Sequence, residues 1–566
     1  MRRSVVGTLV LLVIVMVGLA LWLARRHLPD HSVLVLELEG DIDEMPPRDL
    51  VGQWTARGPA LPTLLLLLDM AAADSRIDGV LLHVKTLGVG YARLQELRDA
   101  VAHVRKAGKR VVALLDETSL NATRELFLAS AANKVLVDPG SLAPLGGVAG
   151  QFLHLQGFFE KLGVKWEYSR VGEYKSAVEE FAAREMSPKA REMTTALIDG
   201  VFAQVVDGIA SGRGLTGEKV RALFETVPGT PKELVDAGLA DDVVGRHDAL
   251  EKAGLAGAHE VDADAYQRID ASSLGLRRGP EIALIFGDGT IVDERGRSFQ
   301  KLFAADETEK ALDEAADDDD IRAVVFRVNS PGGGTQASER IWRAVRRVRA
   351  KKPIVVSMAD YAASGGYYVS SGATAILAEP STFTGSIGVY MLRPAFAGVF
   401  DKLDIGHELI GRGAYAGVAV GDSPLTPVQR ARTDAFTQAA YSDFLSRVSE
   451  GRDTTPEAVD KLGRGRVWLG SDALANNLID ELGGISAAIA RARREAKIEG
   501  EPDPRRVILP GARGPLDQLK SFLHGESSFR LLRALVPLEL RDLPAFGSLA
   551  QDGGIAYLPP VWLELR

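Results

Sequence analysis

The sequence predicts an α/β protein: two successive domains on mostly parallel sheets, set behind one N-terminal transmembrane helix. Three observations predict it. Val5 to Ala24 is a run of twenty residues with Thr8 as the only clearly polar side chain. Beyond it, apolar runs of strand length alternate with longer helical patterns, which is the signature of βαβ units. Those runs also recur, so that the second half of the chain repeats the first.

The N-terminal run is long enough to be an anchor. At about 1.5 Å per residue, a helix of this length crosses a hydrocarbon core roughly 30 Å thick. A cleaved secretory signal is the competing reading, but its apolar region usually spans about 7–15 residues and ends in small ones. Here "LALWLARRHLP" puts bulky and basic residues where cleavage would fall, which favours an uncleaved anchor. Arginines on both flanks (Arg2 and Arg3, then Arg25 and Arg26) leave the orientation undecided by charge.

The repeat orders the rest. "HSVLVLELEGDI" (31–42) and "PEIALIFGDGTI" (280–291) are apolar runs ending in a Gly/Asp turn before Ile. "DSRIDGVLLHVK" (74–85) matches "DDDDIRAVVFRV" (317–328) in its acidic lead-in and buried-strand pattern. A helical stretch feeding a second apolar strand follows in each half, over 94–116 and 338–360, and "KVLVDPGSLAPLGGVAG" (134–150) answers "AILAEPSTFTGSIGVY" (375–390). Further helical regions are predicted over 176–227, 426–450 and 483–498, and a polar link over 262–280. The predicted layout is an anchor (1–30), a first α/β repeat (31–270), a second (271–500) and a C-terminal extension (501–566) with no assigned role.

Composition excludes several classes. A formal charge of −9 offers no basic field for nucleic acid. The absence of cysteine removes disulfides, thiolate catalysis and Cys-ligated metal. "AADDDD" (315–320) reads as a solvated helix end rather than a metal site. No cofactor and no metal is called for.

Placed in register, the halves show complementary losses. Ser364, in "MADYAASGGYYVSSGA", stands opposite Asn121, whereas Lys175, in "EYKSAVEEF", stands opposite Ala416. "NSPGGG" (329–334) faces "TLGVGY" (86–91). A serine kept in one half and a lysine in the other is what a single shared catalytic site would leave behind; drift in a loop and a helix start is the bland alternative. Serine needs a base within hydrogen-bond reach. No histidine falls between 260 and 406, so a Ser-His-Asp triad would need His407 or the other half. A lysine serves if burial lowers its pKa, and a helix N-terminus at Lys175 would push the same way. Gly365 and the glycines of "SPGGG" can present backbone N–H groups to an oxyanion. Ser386, in "TGSIG", is a hydroxyl able to orient the lysine.

These motifs, in this order and in these halves, resemble the long, duplicated form of the SppA-type bacterial signal peptide peptidases over roughly residues 1–500. The resemblance implies a Clp/crotonase-like superfold in both halves and a serine protease tethered to the inner membrane. It implies Ser364 as nucleophile, Lys175 as general base, Ser386 as the hydroxyl supporting the lysine, and Gly333 and Gly365 as the oxyanion hole. It further implies catalytic domains on the periplasmic side, a homotetramer, and apolar peptide substrates, the remnant signal peptides left in the membrane. Two rivals stand beside it. A crotonase-like acyl-CoA enzyme would need neither the serine nor the anchor. An inactive membrane scaffold would tend to have lost Ser364 or Lys175.

Overall fold

The computed structural model describes residues 28–46, 58–296, 301–421, 423–511 and 556–557. The predicted anchor lies outside these residues. Two large sheets carry most of the described strands. In the first, Asp242–Val243, Lys134–Val137, Arg110–Leu115, Ile77–Leu87, Ser32–Gly40 and His259–Asp262 lie side by side, all parallel. The second runs Val467–Leu469, Phe383–Gly385, Ile354–Ala363, Ile321–Ser330, Gly279–Asp288, Pro504–Leu509. Only Val467–Leu469 is antiparallel to its neighbour there, and Ala375–Ala378 adds a further parallel pairing on Ile354–Ala363.

Alternation along these strands decides which side each residue faces. Leu34, Leu36 and Leu38 point into the core between the sheets, while Val33 and Val35 point to the outer face of the first sheet. In the second sheet Ala323 and Val325 face the shared core; Val324, Phe326 and Val328 face the helices Ala305–Asp317 and Thr335–Arg349 on the far side. The two halves therefore bury one another. Arg327, on the shared side, is wholly buried and donates to Glu44 and Glu96 of the first half.

Pro188–Arg213 is the one helix among the described residues that is long and apolar enough to cross a membrane. Its Met193, Leu197, Val201, Val205 and Ile209 belong to the shared core, which makes it a core helix. The link predicted as polar, 262–280, is partly built in: it carries the helix Ala263–Tyr266, whose Tyr266 is buried with its hydroxyl 3.3 Å from Asp74. From the C-terminal extension, Pro504–Leu509 forms an edge strand of the second sheet.

A third, smaller sheet positions the site. Its order is Leu302–Ala304, Thr290–Val292, Gly333–Gly334, Ala556–Tyr557, Val389–Ala395, Lys165–Val171. The last two strands come from different halves and pair antiparallel over seven residues, Val171 opposite Val389 and Lys165 opposite Ala395. Lys175 lies four residues beyond one end of this ladder and Ser386 three residues before it, so the pairing delivers both to the same place.

Candidate active site

Ser364 ends the central strand Ile354–Ala363 and precedes the helix Gly365–Ser370. The turn is sharp: its φ of 55° and ψ of −114° are costly for a residue with a Cβ. What holds it there is its own N–H, which donates to Gly385 O at 2.7 Å, together with the carbonyl that starts the helix through Tyr368 N. Ser364 Oγ is thus fixed at the C-terminal end of a buried strand.

Lys175 reaches the same point from the first half. Its Nζ lies 2.8 Å from Ser364 Oγ, 3.0 Å from Ser386 Oγ and 3.1 Å from Ser386 O. All three partners are neutral, and the side chain has no exposed surface. Burial pushes its pKa well below the ordinary lysine value. The helix start predicted at Lys175 is a short one, a 3-10 turn over Ser176–Val178 running straight into the helix Glu179–Ala182, and desolvation is the cause of the lowered pKa. Ser386 is also buried and also in the left-handed region, with φ 52°.

The glycines converge as well. A Cβ placed on Gly365 would stand 3.1 Å from the Gly333 nitrogen and 2.7 Å from Ser338 Oγ, so the segment carrying Gly333 packs tightly against Gly365. Gly365 is the first residue of its helix, and the first N–H groups of a helix have no carbonyl partner within it. The five residues singled out from the sequence, Ser364, Lys175, Ser386, Gly333 and Gly365, therefore meet in one buried site. Asn121 and Ala416 lie elsewhere: Asn121 accepts from Thr123 ahead of the helix Thr123–Ala129, and Ala416 sits in an irregular turn. His407 is exposed, its ring 4.7 Å from Phe400. The described residues hold no group of three or more His, Asp or Glu able to bind a metal ion.

Sequence reasoning missed the segment Gly463–Arg466. Arg464 O accepts from Tyr174 N, Gly465 N donates to Ile387 O, and Arg466 O accepts from Ser386 N at 2.7 Å. The string "GRGR" is a faint signal, because its partners lie far away in the chain.

A serine hydroxyl beside a buried amine of lowered pKa, with amides converging on it, is the equipment of a serine hydrolase that works by acyl transfer. The chain belongs to peptidase family S49, whose model matches residues 103–259 and 346–499, and it is a serine protease. It is 31% identical over 510 residues to "Serine protease SPPA, chloroplastic" of Arabidopsis thaliana, covering 88% of this chain and 73% of that one. "Protease 4" of Salmonella typhi is 30% identical over 527 residues, covering 88% and 84%. "Protease 4" of Haemophilus influenzae is 31% identical over 464 residues, covering 79% and 74%.

Proposed function

We propose that this protease is a membrane-anchored endopeptidase with a Ser-Lys dyad that degrades apolar peptides, remnant signal peptides among them. The observation that carries the dyad is the 2.8 Å approach of a wholly buried Lys175 Nζ to Ser364 Oγ. Neutral Lys175 takes the hydroxyl proton as Ser364 Oγ attacks a peptide carbonyl. The oxyanion receives the Gly333 and Gly365 N–H groups. The lysine ammonium then gives its proton to the leaving amine, and water, deprotonated by the same lysine, resolves the acyl-enzyme. Ser386 Oγ holds Nζ on line through both steps.

An extended substrate has a ready place. Gly333–Gly334 and Tyr390 flank one strand position beside the site, where the described Ala556–Tyr557 pairs antiparallel with both. A peptide there would be held through its backbone, which suits cleavage of many sequences. The like order of strands in the two large sheets supports reading the halves as tandem Clp/crotonase-like repeats, 31–270 and 271–500, behind the anchor. Inner-membrane tethering by Val5 to Ala24, catalytic domains on the periplasmic side and a homotetramer complete the proposal. The anchor would keep the site near the bilayer, where cleaved signal peptides collect.

The test is cleavage of an apolar fluorogenic peptide by the full chain in detergent, beside Ser364→Ala and Lys175→Ala, from about pH 6 to about pH 10. Both variants should lose about 1,000-fold or more in kcat/KM. The parent's rate should rise with one deprotonation below the free-lysine value of about 10.4. Full activity of Lys175→Ala would remove the lysine from the mechanism.

A further inference from the structure

Three glycines interlock around the lysine, each at a place where a side chain would collide. A Cβ on Gly465 would stand 2.5 Å from Lys175 N, 2.6 Å from its Cβ and 2.7 Å from its Cα. On Gly388 it would stand 2.8 Å from Gly465 Cα and 3.2 Å from Lys175 Cδ; on Gly172, 2.3 Å from the Arg464 carbonyl. The segment Gly463–Arg466 is thus pressed directly onto the backbone and stem of Lys175, and Gly465 is itself buried.

The segment is also tied to everything the lysine must meet. Its backbone bonds to Tyr174 N, one residue before Lys175, and to Ser386 N and Ile387 O on either side of the supporting hydroxyl. It then runs into Val467–Leu469, which pairs antiparallel with Phe383–Gly385, the strand whose Gly385 O holds Ser364 N. At its other end Tyr441, from the helix Pro427–Gly451, accepts from Arg464 N at 3.2 Å and donates to Asp460 at 2.6 Å. Arg464 is held in the left-handed region, with φ 54°.

We propose that Gly463–Arg466 is a positioning strap for the dyad, with Gly465 the residue that sets where Lys175 stands against Ser364 and keeps water from its stem. The inference rests on the Ser-Lys reading above. The strap's backbone bonds run to Tyr174, Ser386 and Ile387, on the lysine's side of the site, so its effect falls on kcat more than on peptide binding. A displacement of about 1 Å at such a site costs about 100-fold in rate. A lysine let partly into water also regains its proton more readily, which moves the pH profile upward.

The experiment compares the parent, Gly465→Ala, Tyr441→Phe and Lys175→Met on one apolar peptide across pH, with folding followed by circular dichroism. Gly465→Ala should lose about 100-fold in kcat with KM within about 3-fold, and its rate should rise at higher pH than the parent's. Tyr441→Phe removes the hydroxyl that receives Arg464 N–H without inserting an atom, and should shift the profile the same way with a smaller loss. If Gly465→Ala fails to fold, Tyr441→Phe alone decides: an unchanged profile overturns the strap. Unchanged kcat and pH profile in a folded Gly465→Ala overturn it too. An active Lys175→Met would instead overturn the dyad reading, and an inactive one beside a normal Gly465→Ala would sink the strap alone.

Discussion

Burying a lysine among three neutral partners lowers its pKa and costs the fold stability. Burial lowers the Lys175 pKa well below the ordinary lysine value in the folded protein, and unfolding returns it to that value. Between the lowered folded value and the ordinary one, unfolding takes up a proton, and that uptake favours the unfolded state. Stability from this group rises with pH and levels off above about 10.4, where both states are neutral. Lys175→Met should therefore melt higher than the parent at neutral pH, and the gain should vanish in scans above about pH 10.4. A gain of equal size at both pH values would trace to packing. Two of these residue-scale features were legible in the sequence and one was not. Ser364 stood out as a serine between alanines and glycines after an apolar run, and Lys175 through the repeat that leaves Ala416 opposite it. Gly465 was invisible, since its need to be glycine arises from a backbone far back in the chain.

At the scale of elements, alternation read the large sheets well. The runs at 31–42, 74–85, 280–291 and 317–328 all form strands, since a buried strand writes its faces into its own sequence. The small sheet was not legible, because it joins Lys165–Val171 of one half to Val389–Ala395 of the other, and register between distant strands leaves no local mark. The same sheet makes a prediction about the extension. Ala556–Tyr557 occupies the strand position between Gly333–Gly334 and Tyr390, where a substrate backbone would lie. A tethered occupant competes at an effective concentration on the order of millimolar. Ending the chain after Gly511 should therefore lower KM for an apolar peptide by about 3-fold or more, with kcat little changed. An unchanged KM would mean the tail does not compete there in solution.

Among the described residues, the two halves are held together by charge as well as by apolar packing. Arg327, on the strand Ile321–Ser330, donates to both carboxylate oxygens of Glu44, to Glu96 and to Ser357 Oγ, all out of water. Glu96 also accepts from Ile485 N, so one carboxylate ties a first-half helix to a second-half strand and helix. Burial raises the Glu96 pKa and Arg327 pulls it back, so removing the arginine leaves an acid that has lost its cation. Breaking a buried pair by deleting one partner typically costs about 3–5 kcal/mol, whereas replacing the whole group by neutral side chains costs far less. Arg327→Met should accordingly lower the melting temperature sharply, and adding Glu96→Gln should restore part of it, while Glu44 keeps Arg93 as a partner at 3.5 Å. Calorimetry of each variant should show a single transition, because Leu36 and Val84 of one half and Leu284 and Val325 of the other share one core. Two separate transitions in Arg327→Met would mean that the charge cluster, and not the shared core, makes the halves fold together.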